Sequence, residues 1–330
     1  MPTQIPLTEI LQRLQDESRP FPARYLHHFS DLTPEDLHAV LDIWPRISVQ
    51  RKLTFLEDLE DLAETDTLVS FEDLARALLT DQEAGVRTRA IRLLWECEDP
   101  HLIPVYLNLL KNDESEETRA AAASALGIFI YRGEIEELEP RLWHQVEDAL
   151  LEAATQATSP LVRRRALEAL GTSSRDEVPA LIEAAYHRSE PEWIASALFA
   201  MGKSCDTRWE KQVLSQLHNP NLDIRHEAIR AAGELGLGSA RRSLLDQLED
   251  EEDLDIRHEI IWALSKIGGP GIREKFDEML DAEMDDEEAE FLEDALDNLF
   301  FTEDMASFAM FDFEIDDEDS AKKKTRHSSS

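Results

Sequence analysis

The chain has 330 residues, of which 42% are hydrophobic, 32% charged and only 7% aromatic, and its formal net charge is −37. This excess of acid excludes a basic footprint for nucleic acid, two cysteines exclude a disulfide framework, and no apolar run approaches the ~20 residues that span a bilayer. The chain is long enough for a large core but too poor in aromatic residues for an all-β fold, so we predict a helical, cytoplasmic protein without nucleic-acid or membrane partners.

The N-terminal residues 1–33 are predicted to cap the rest of the chain. A helix is expected from Leu7 to Leu14. Thr33, followed by Pro34 and two acids, has the pattern of a helix N-cap, a first-turn proline and favourable charge at the positive helix end. We therefore expect the main helical array to begin at residue 34.

Six blocks of similar sequence follow in the chain. They start at Val86, Thr118, Val162, Trp193, Ile224 and Ile256. A weaker copy starts at Val49 and a degenerate one at Glu288. Counted from the first residue of a block as zero, positions 0, 4, 7 and 8 are apolar, which is the spacing of one helical face. Small residues recur at positions 4 and 7, and the frequent glycine at position 9 fits a helix C-terminal cap.

A second amphipathic segment precedes each block, for example Val178 to His187 and Ala240 to Leu248. Two helices per roughly 32 residues predict an all-α, right-handed solenoid of about seven to eight helical hairpins over residues 34–303. The starts of the blocks at Thr118 and Val162 lie 44 residues apart. We expect the extra residues to lengthen the first helix of that repeat, from Glu136 to Ala154.

The pattern Val-Arg-x-x-Ala-x-x-Ala-Leu-Gly, seen from Val162 to Gly171, resembles HEAT repeats of the short type found in phycobilin lyases and many bacterial scaffold proteins. The resemblance covers residues 80–270 well and extends over about 34–300. It implies stacked helical hairpins whose surface binds other proteins. We therefore expect a non-catalytic scaffold or adaptor that binds a protein or peptide and needs no cofactor, with a phycobilin-lyase-like accessory role as an alternative.

An arginine occupies position 1 of most blocks. An acid or amide lies six residues before it, at Asp81, Asp113, Asn219 and Glu251. In HEAT repeats such pairs bridge adjacent turns. We therefore interpret the arginines as structural and not as a ladder that binds anions.

Two His-Glu pairs, His226-Glu227 and His258-Glu259, occupy equivalent positions 32 residues apart. They are similar to the four pairs that hold two irons in deoxyhypusine hydroxylase, and this resemblance implies a metal site with nitrogen and oxygen ligands. The two further pairs are missing from the matching positions, so a dimer would be needed to complete the site. The main prediction is no metal and no catalysis, since other enzyme motifs are also missing, and a di-iron hydroxylase-like enzyme is an alternative.

Positions 2 and 6 of each block lie opposite the apolar stripe, on the side that lines the concave groove in HEAT-like arrays. In the weak copy these positions are Arg51 and Phe55. Arginine beside aromatic residues is typical of interface anchors. The predicted partner-binding residues of the groove are Arg92, Trp95, Arg164, Phe199, His226, Arg230, His258 and Trp262.

Residues 276–321 contain 20 acids and no lysine or arginine, which predicts an acidic, disordered tail over residues 304–330. Large apolar residues alternate with acids at Phe308, Phe311, Phe313 and Ile315. Two interpretations are open, a solubilising end and a short docking motif for a partner or for the chain's own groove. The arginines of the predicted groove would complement the acids of this motif, so intramolecular tail docking is one expected partner interaction.

Overall fold

A computed structural model describes residues 5–282 and 288–304 of the chain. The chain divides into two compact units, unit 1 (Met1–Val178) and unit 2 (Pro179–Ser330). The predicted all-α class is confirmed, because the described residues form helices joined by turns and contain no strand. Among these residues, no helix combines the length and the apolar character needed to cross a bilayer. The predicted tail motif from Phe308 to Ile315 lies outside the described residues.

Unit 1 begins with the helix expected from Leu7 and continues as helical hairpins. Its helices are α1 (Leu7–Gln15), α2 (Pro34–Ile43), α3 (Val49–Thr65), α4 (Glu72–Leu78), α5 (Ala84–Arg92), α6 (Ile103–Asn112), α7 (Glu116–Ala125), α8 (Gly127–Glu134), α9 (Pro140–Gln156) and α10 (Pro160–Ala169). The Thr33 hydroxyl accepts a hydrogen bond from the Asp36 amide at 3.2 Å, which confirms the predicted N-cap of α2.

Unit 2 repeats one hairpin design to its last described residue. Its helices are α11 (Val178–Tyr186), which starts at the boundary between the units, α12 (Pro191–Lys203), α13 (Glu210–Gln216), α14 (Leu222–Glu234), α15 (Arg241–Leu248), α16 (Leu254–Ile267), α17 (Ile272–Leu280) and α18 (288–304). The second helices stack in order, α12 on α14 and α14 on α16, while α13 and α15 pack on the second helices of their own hairpins. This stacking confirms the predicted solenoid of helical hairpins.

Polar side chains fix the start of most second helices. In each case an oxygen three residues before position 0 accepts a hydrogen bond from the amide at position 0, which satisfies one of the free donors of the first turn. The capping residues are Ser115, Ser159, Asn221 and Asp253, with distances of 3.0–3.4 Å. The caps therefore define the register of the repeats independently of the apolar pattern.

The cap of α3 corrects the register predicted for the weak copy. The Ser48 hydroxyl accepts a hydrogen bond from the Arg51 amide at 3.3 Å, so position 0 is Arg51 and not Val49. Phe55 then falls at position 4, where it is fully buried among other aromatic rings. The assignment of Phe55 to the groove was therefore wrong by two residues, because a short apolar pattern does not distinguish neighbouring registers.

The glycines at position 9 do not cap helices. Gly202 and Gly233 lie within α12 and α14, and neither has a positive φ. A Cβ on Gly233 would lie 2.7 Å from the Cα of Ala263, and one on Gly202 would lie 3.0 Å from the Cα of Ala231. The alanines occupy position 7 of the following repeat. The predicted capping role is wrong at these sites, and the glycines instead let neighbouring backbones touch.

Basic residues at position 1 of several repeats link consecutive hairpins. Arg87 donates from Nε and Nη2 to the two carboxylate oxygens of Asp113, which belongs to the next repeat, at 2.8 Å each. It reaches its own turn through the carbonyl oxygen of Asp81, also at 2.8 Å. Similar links join Lys52 to Asp81 (3.4 Å), Arg225 to Glu251 (3.6 Å) and Arg257 to Glu288 (3.1 Å). The expected bridging of adjacent turns is observed at these sites, where each acid binds a basic residue of the preceding repeat.

The extra residues of the long repeat form one additional helix and lengthen another. Residues of the insertion form α8, and α9 is 17 residues long, although it begins at Pro140 and not at Glu136. The Trp143 ring lies so close to Gly133 that no side chain fits there. The predicted lengthening of the first helix is thus confirmed with a later start.

Candidate functional site

The second helices of unit 2 present one partly exposed surface. At 100° per residue, positions 2 and 6 of these helices lie at about 200° and 240°, opposite the buried positions 4, 7 and 8, and position 3 borders them at about 300°. We call this the second-helix surface of unit 2, and its residues are Phe199, His226, Glu227, Arg230, His258, Glu259, Trp262, Phe291 and Asp294. Five of the predicted groove residues lie on it, because the count of positions was correct for these repeats.

A cation covers an aromatic ring at the start of this surface. The guanidinium carbon of Arg230 lies 4.1 Å from the ring centroid of Phe199, and both residues occupy position 6 of their helices. The same guanidinium forms an ion pair with Glu227 at 2.8 Å. Such contacts are favourable because the face of an aromatic ring attracts positive charge. Arg230 is therefore already neutralised within the chain, which the sequence interpretation did not foresee.

A histidine and a glutamate connect α14 to α16. His226 Nε2 lies 3.3 Å from Glu259 Oε2. Burial raises the pKa of Glu259 above its ordinary value, although the nearby His226 and Arg230 act in the opposite direction. The carboxyl of Glu259 thus resists ionisation unless positive charge is close.

Three aromatic side chains meet where α16 packs against α18. The ring centroids of His258 and Phe291 lie 4.4 Å apart, and those of Trp262 and Phe291 lie 6.3 Å apart. Phe291 occupies position 3 of α18, the place that Glu259 holds in α16. The last hairpin therefore replaces a His-Glu contact with a stack of rings.

A pocket of about 680 Å³ opens beside these rings. Its lining consists of Asp223, His226, Asp255, His258, Glu259, Trp262, Phe291 and Asp294. The carboxylates of Asp223, Asp255 and Asp294 are exposed, and within residues 5–282 and 288–304 they form no hydrogen bond or ion pair through their side chains. The pocket thus combines aromatic walls with free negative charge.

The predicted residues of unit 1 are not among the residues that line this pocket. Arg92 is exposed at the end of α5, Trp95 follows the helix with 59% of its surface exposed, and Arg164 is half-buried on α10. Of the eight predicted groove residues, only His226, His258 and Trp262 line the pocket together.

Four pocket residues escaped the sequence interpretation. Phe291 and Asp294 occupy positions 3 and 6 of the degenerate copy at Glu288, to which the position count had not been extended. Asp223 and Asp255 lie one residue before position 0 of their helices, outside the positions of the repeated block. The sequence signal for all four is therefore their place in the repeat: two lie one residue before position 0, and two lie on the partly exposed positions of the last copy.

The two His-Glu pairs do not converge on one point. His226 contacts Glu259, Glu227 pairs with Arg230, and His258 stacks on Phe291. Within the part of the chain that the structure describes, no three or more His, Cys, Asp or Glu side chains are arranged to hold a metal ion. The residues present therefore do not fit a two-iron site of the hydroxylase kind.

Comparison with known proteins supports the repeat assignment. A sequence model of HEAT repeats matches residues 71–157 and 210–297, which together exceed half of the chain. No curated protein matches the chain at a significant level. The resemblance to HEAT repeats that the sequence indicated is thus confirmed.

Several solved structures align with the chain. The complex of CpcE and CpcF of phycocyanin lyase from Nostoc sp. PCC7120 has a TM-score of 0.51 and 16% identity, and the alignment covers 82% of this chain and 95% of that chain. YibA of Escherichia coli has a TM-score of 0.42 and 19% identity, covering 84% and 95%. Human deoxyhypusine hydroxylase has a TM-score of 0.34 and 19% identity, covering 79% and 95%. At these identities the alignment with the lyase complex shows a shared fold alone.

Proposed function

The chain belongs to the HEAT-repeat family, and from this premise we propose that it is a non-catalytic scaffold that binds a protein or peptide on the second-helix surface of unit 2. The observation that carries the proposal is the pocket where Trp262, Phe291 and His258 lie beside exposed carboxylates that have no partner within the described residues. Partly exposed aromatic side chains of this kind are the residues that anchor protein interfaces.

The rigidity of the surface supports the same proposal. The helices that bear it stack through small residues, among them Ala228, Ala231 and Ala263, which are fully or almost fully buried. Side chains on closely packed helices lose little freedom when a ligand binds, so less of the interaction free energy is spent on ordering the site.

The alternatives fit these contacts less well. A hydroxylase-like enzyme would need Glu227 and His258 as ligands, but Arg230 and Phe291 occupy them. The acidic tail would bring negative charge to a pocket whose own carboxylates are free, so repulsion favours a separate partner over tail docking at this site. No feature of the surface favours a role in chromophore attachment over peptide binding.

Selection of peptides from a random 12-residue library on the immobilised full chain tests the proposal. We expect enriched peptides to bind the wild-type chain and to lose most of their affinity for Trp262→Ala. Trp95→Ala, which removes an exposed tryptophan from unit 1, is the matched control and should bind as the wild type does. Peptides that bind Trp262→Ala as tightly as the wild type, or no enrichment at all, would refute the proposed surface.

A further inference from the structure

Two neighbouring second helices of unit 2 place an aromatic ring and a cation side by side at position 6, and the residue types at this position differ at the last described hairpin. Phe199 at position 6 of α12 is covered by Arg230 at position 6 of α14. Trp262 holds position 6 of α16, and position 6 of the next helix is Asp294. A carboxylate therefore holds the position that a guanidinium holds one repeat earlier, and Asp294 and Trp262 line the same pocket.

An aromatic ring with a carboxylate next to it is an environment that stabilises a bound cation. The ring face attracts positive charge, and the carboxylate accepts charge-assisted hydrogen bonds from an ammonium or guanidinium group. Lys266 shows that the Trp262 ring has this property, since its Nζ lies 5.6 Å from the ring centroid. However, Lys266 is held by Glu234 at 2.9 Å and does not line the pocket.

We propose that this pocket binds a lysine or arginine side chain from a basic segment of a partner protein. The inference rests on the proposed function and adds the chemistry of the partner. The titratable groups that face the pocket are the carboxyl groups of Asp223, Asp255, Asp294 and Glu259 and the imidazoles of His226 and His258. Of the carboxylates, Glu259 alone has a basic neighbour, His226, within 4 Å among the described residues.

The pocket is larger than one side chain, so several residues of the partner should enter it. Asp223 and Asp255 hold the same position, one residue before position 0, on α14 and α16. Packed helices lie about 8–10 Å apart, and a peptide in the extended polyproline II conformation advances about 3.1 Å per residue and turns every third side chain to the same side. Two basic residues three positions apart would thus reach equivalent carboxylates on neighbouring helices. The expected ligand is an extended segment with the spacing Arg-x-x-Arg.

A fluorescein-labelled peptide with arginine at every third position, separated by glycine and serine, is the probe. Its binding to the full chain is measured by fluorescence anisotropy at low and high salt. Asp294→Asn and Asp255→Asn should each weaken binding at least about fivefold, because each removes an ionic partner. Asp277→Asn is the matched control, since it removes an exposed carboxylate from α17, and it should change the affinity less than about twofold. Thermal unfolding verifies that all variants fold.

Two further peptides separate the pocket from general attraction to an acidic chain. Replacing each arginine of the probe with citrulline keeps the shape but removes the charge, and should abolish binding. Clustering the same arginines at adjacent positions keeps the charge but loses the spacing, and should weaken binding. Equal affinity of the citrulline peptide, or an equal effect of Asp277→Asn and Asp294→Asn, would overturn the inference.

The chain's own basic residues Lys322, Lys323, Lys324 and Arg326 are the competing source of a cation. A tethered segment has an effective concentration near millimolar, so a self-docked end would compete with the probe. Replacing these four residues with serine should leave the affinity for the probe unchanged. A gain of about tenfold or more would assign the pocket to the chain's own end and overturn the assignment to a partner. If the library selects peptides that need Trp262 but carry no basic residue, the proposed function stands and this inference falls.

Discussion

Replacing Gly233 of α14 with alanine would place a methyl group where the backbone of α16 already lies. The new Cβ would be 2.7 Å from the Cα of Ala263 and 3.0 Å from its Cβ. Ordinary van der Waals contact between carbons needs about 3.5–4.0 Å, so the two helices would have to separate. A backbone atom cannot rotate away as the end of a side chain can, and the strain therefore falls on the stacking of the hairpins.

The expected magnitude is the balance of two effects. Glycine to alanine in a helix interior normally stabilises by about 1 kcal/mol. Adding a methyl group to a closely packed site costs about 1–3 kcal/mol, and a contact with backbone belongs at the upper end. We expect Gly233→Ala to lower the free energy of unfolding by about 1–2 kcal/mol. In a chain of this size that corresponds to a fall of about 2–6 °C in the melting temperature.

Thermal unfolding followed by circular dichroism measures this effect, and other glycines provide a graded series. Gly202→Ala brings the Cβ 3.0 Å from the Cα of Ala231, and Gly127→Ala brings it 3.3 Å from the Cα of Ala169, so their effects should be smaller in that order. Gly238→Ala is the control, since nothing lies within 4 Å of its Cβ. A rise in melting temperature for Gly233→Ala, as for an ordinary helix glycine, would refute the reasoning.

Three further predictions concern the register and the charges. Phe55→Ala should cost about 3–5 kcal/mol, because Phe55 is fully buried, and an effect below about 1 kcal/mol in urea unfolding would restore the register that begins at Val49. Burial would raise the pKa of Asp113, but hydrogen bonds from Arg87 and the backbone lower it, so its contribution to stability is present at neutral pH and is lost as the pH falls through the folded-state pKa. Asp113→Asn should therefore lower the melting temperature at pH 7 more than at pH 3, and an equal loss at both would contradict this. The raised pKa of Glu259 predicts the opposite pH dependence of stability. The folded state favours the protonated carboxyl, so this contribution to stability is present at low pH and is lost as the pH rises from the ordinary value of 4.5 through the higher folded-state pKa. Glu259→Gln should stabilise the chain more at pH 8 than at pH 4, and the reverse order would show that ionised Glu259 is the favoured form.

The hairpin architecture could be predicted because every repeat carries the same local pattern. The apolar residues at positions 0, 4, 7 and 8 define one helical face, and six copies of it make the period visible even where single copies are weak. The failure at Val49 has the same origin. A single diverged copy leaves two registers open, and the cap at Ser48, which decides between them, precedes the block that was compared.

Contacts between repeats could not be predicted in the same way. The pattern around Arg87 shows an acid six residues earlier, but the bidentate partner is Asp113 of the following hairpin. Likewise, the sequence around Gly233 predicts a helix end. The structure shows that this glycine is needed because the backbone of Ala263 on the neighbouring helix lies against it. Sequence spacing describes one helix at a time, whereas these roles depend on the distance between two helices, which is set jointly by the small residues at positions 7 and 9.

The candidate site illustrates how a repeat array can acquire a ligand surface at its last described hairpin. The ring of Phe199 at position 6 of α12 contacts the guanidinium of Arg230 at position 6 of the next repeat. The next repeat after Trp262 supplies Asp294 instead, and Phe291 replaces the glutamate that a histidine contacts one repeat earlier. Each substitution leaves the buried stripe intact, since Leu292 and Ala295 of α18 stay fully buried, and changes only the exposed positions. Substitutions that change only the exposed positions cost little stability. Exposed positions are therefore the places where selection for binding can act without disturbing the fold.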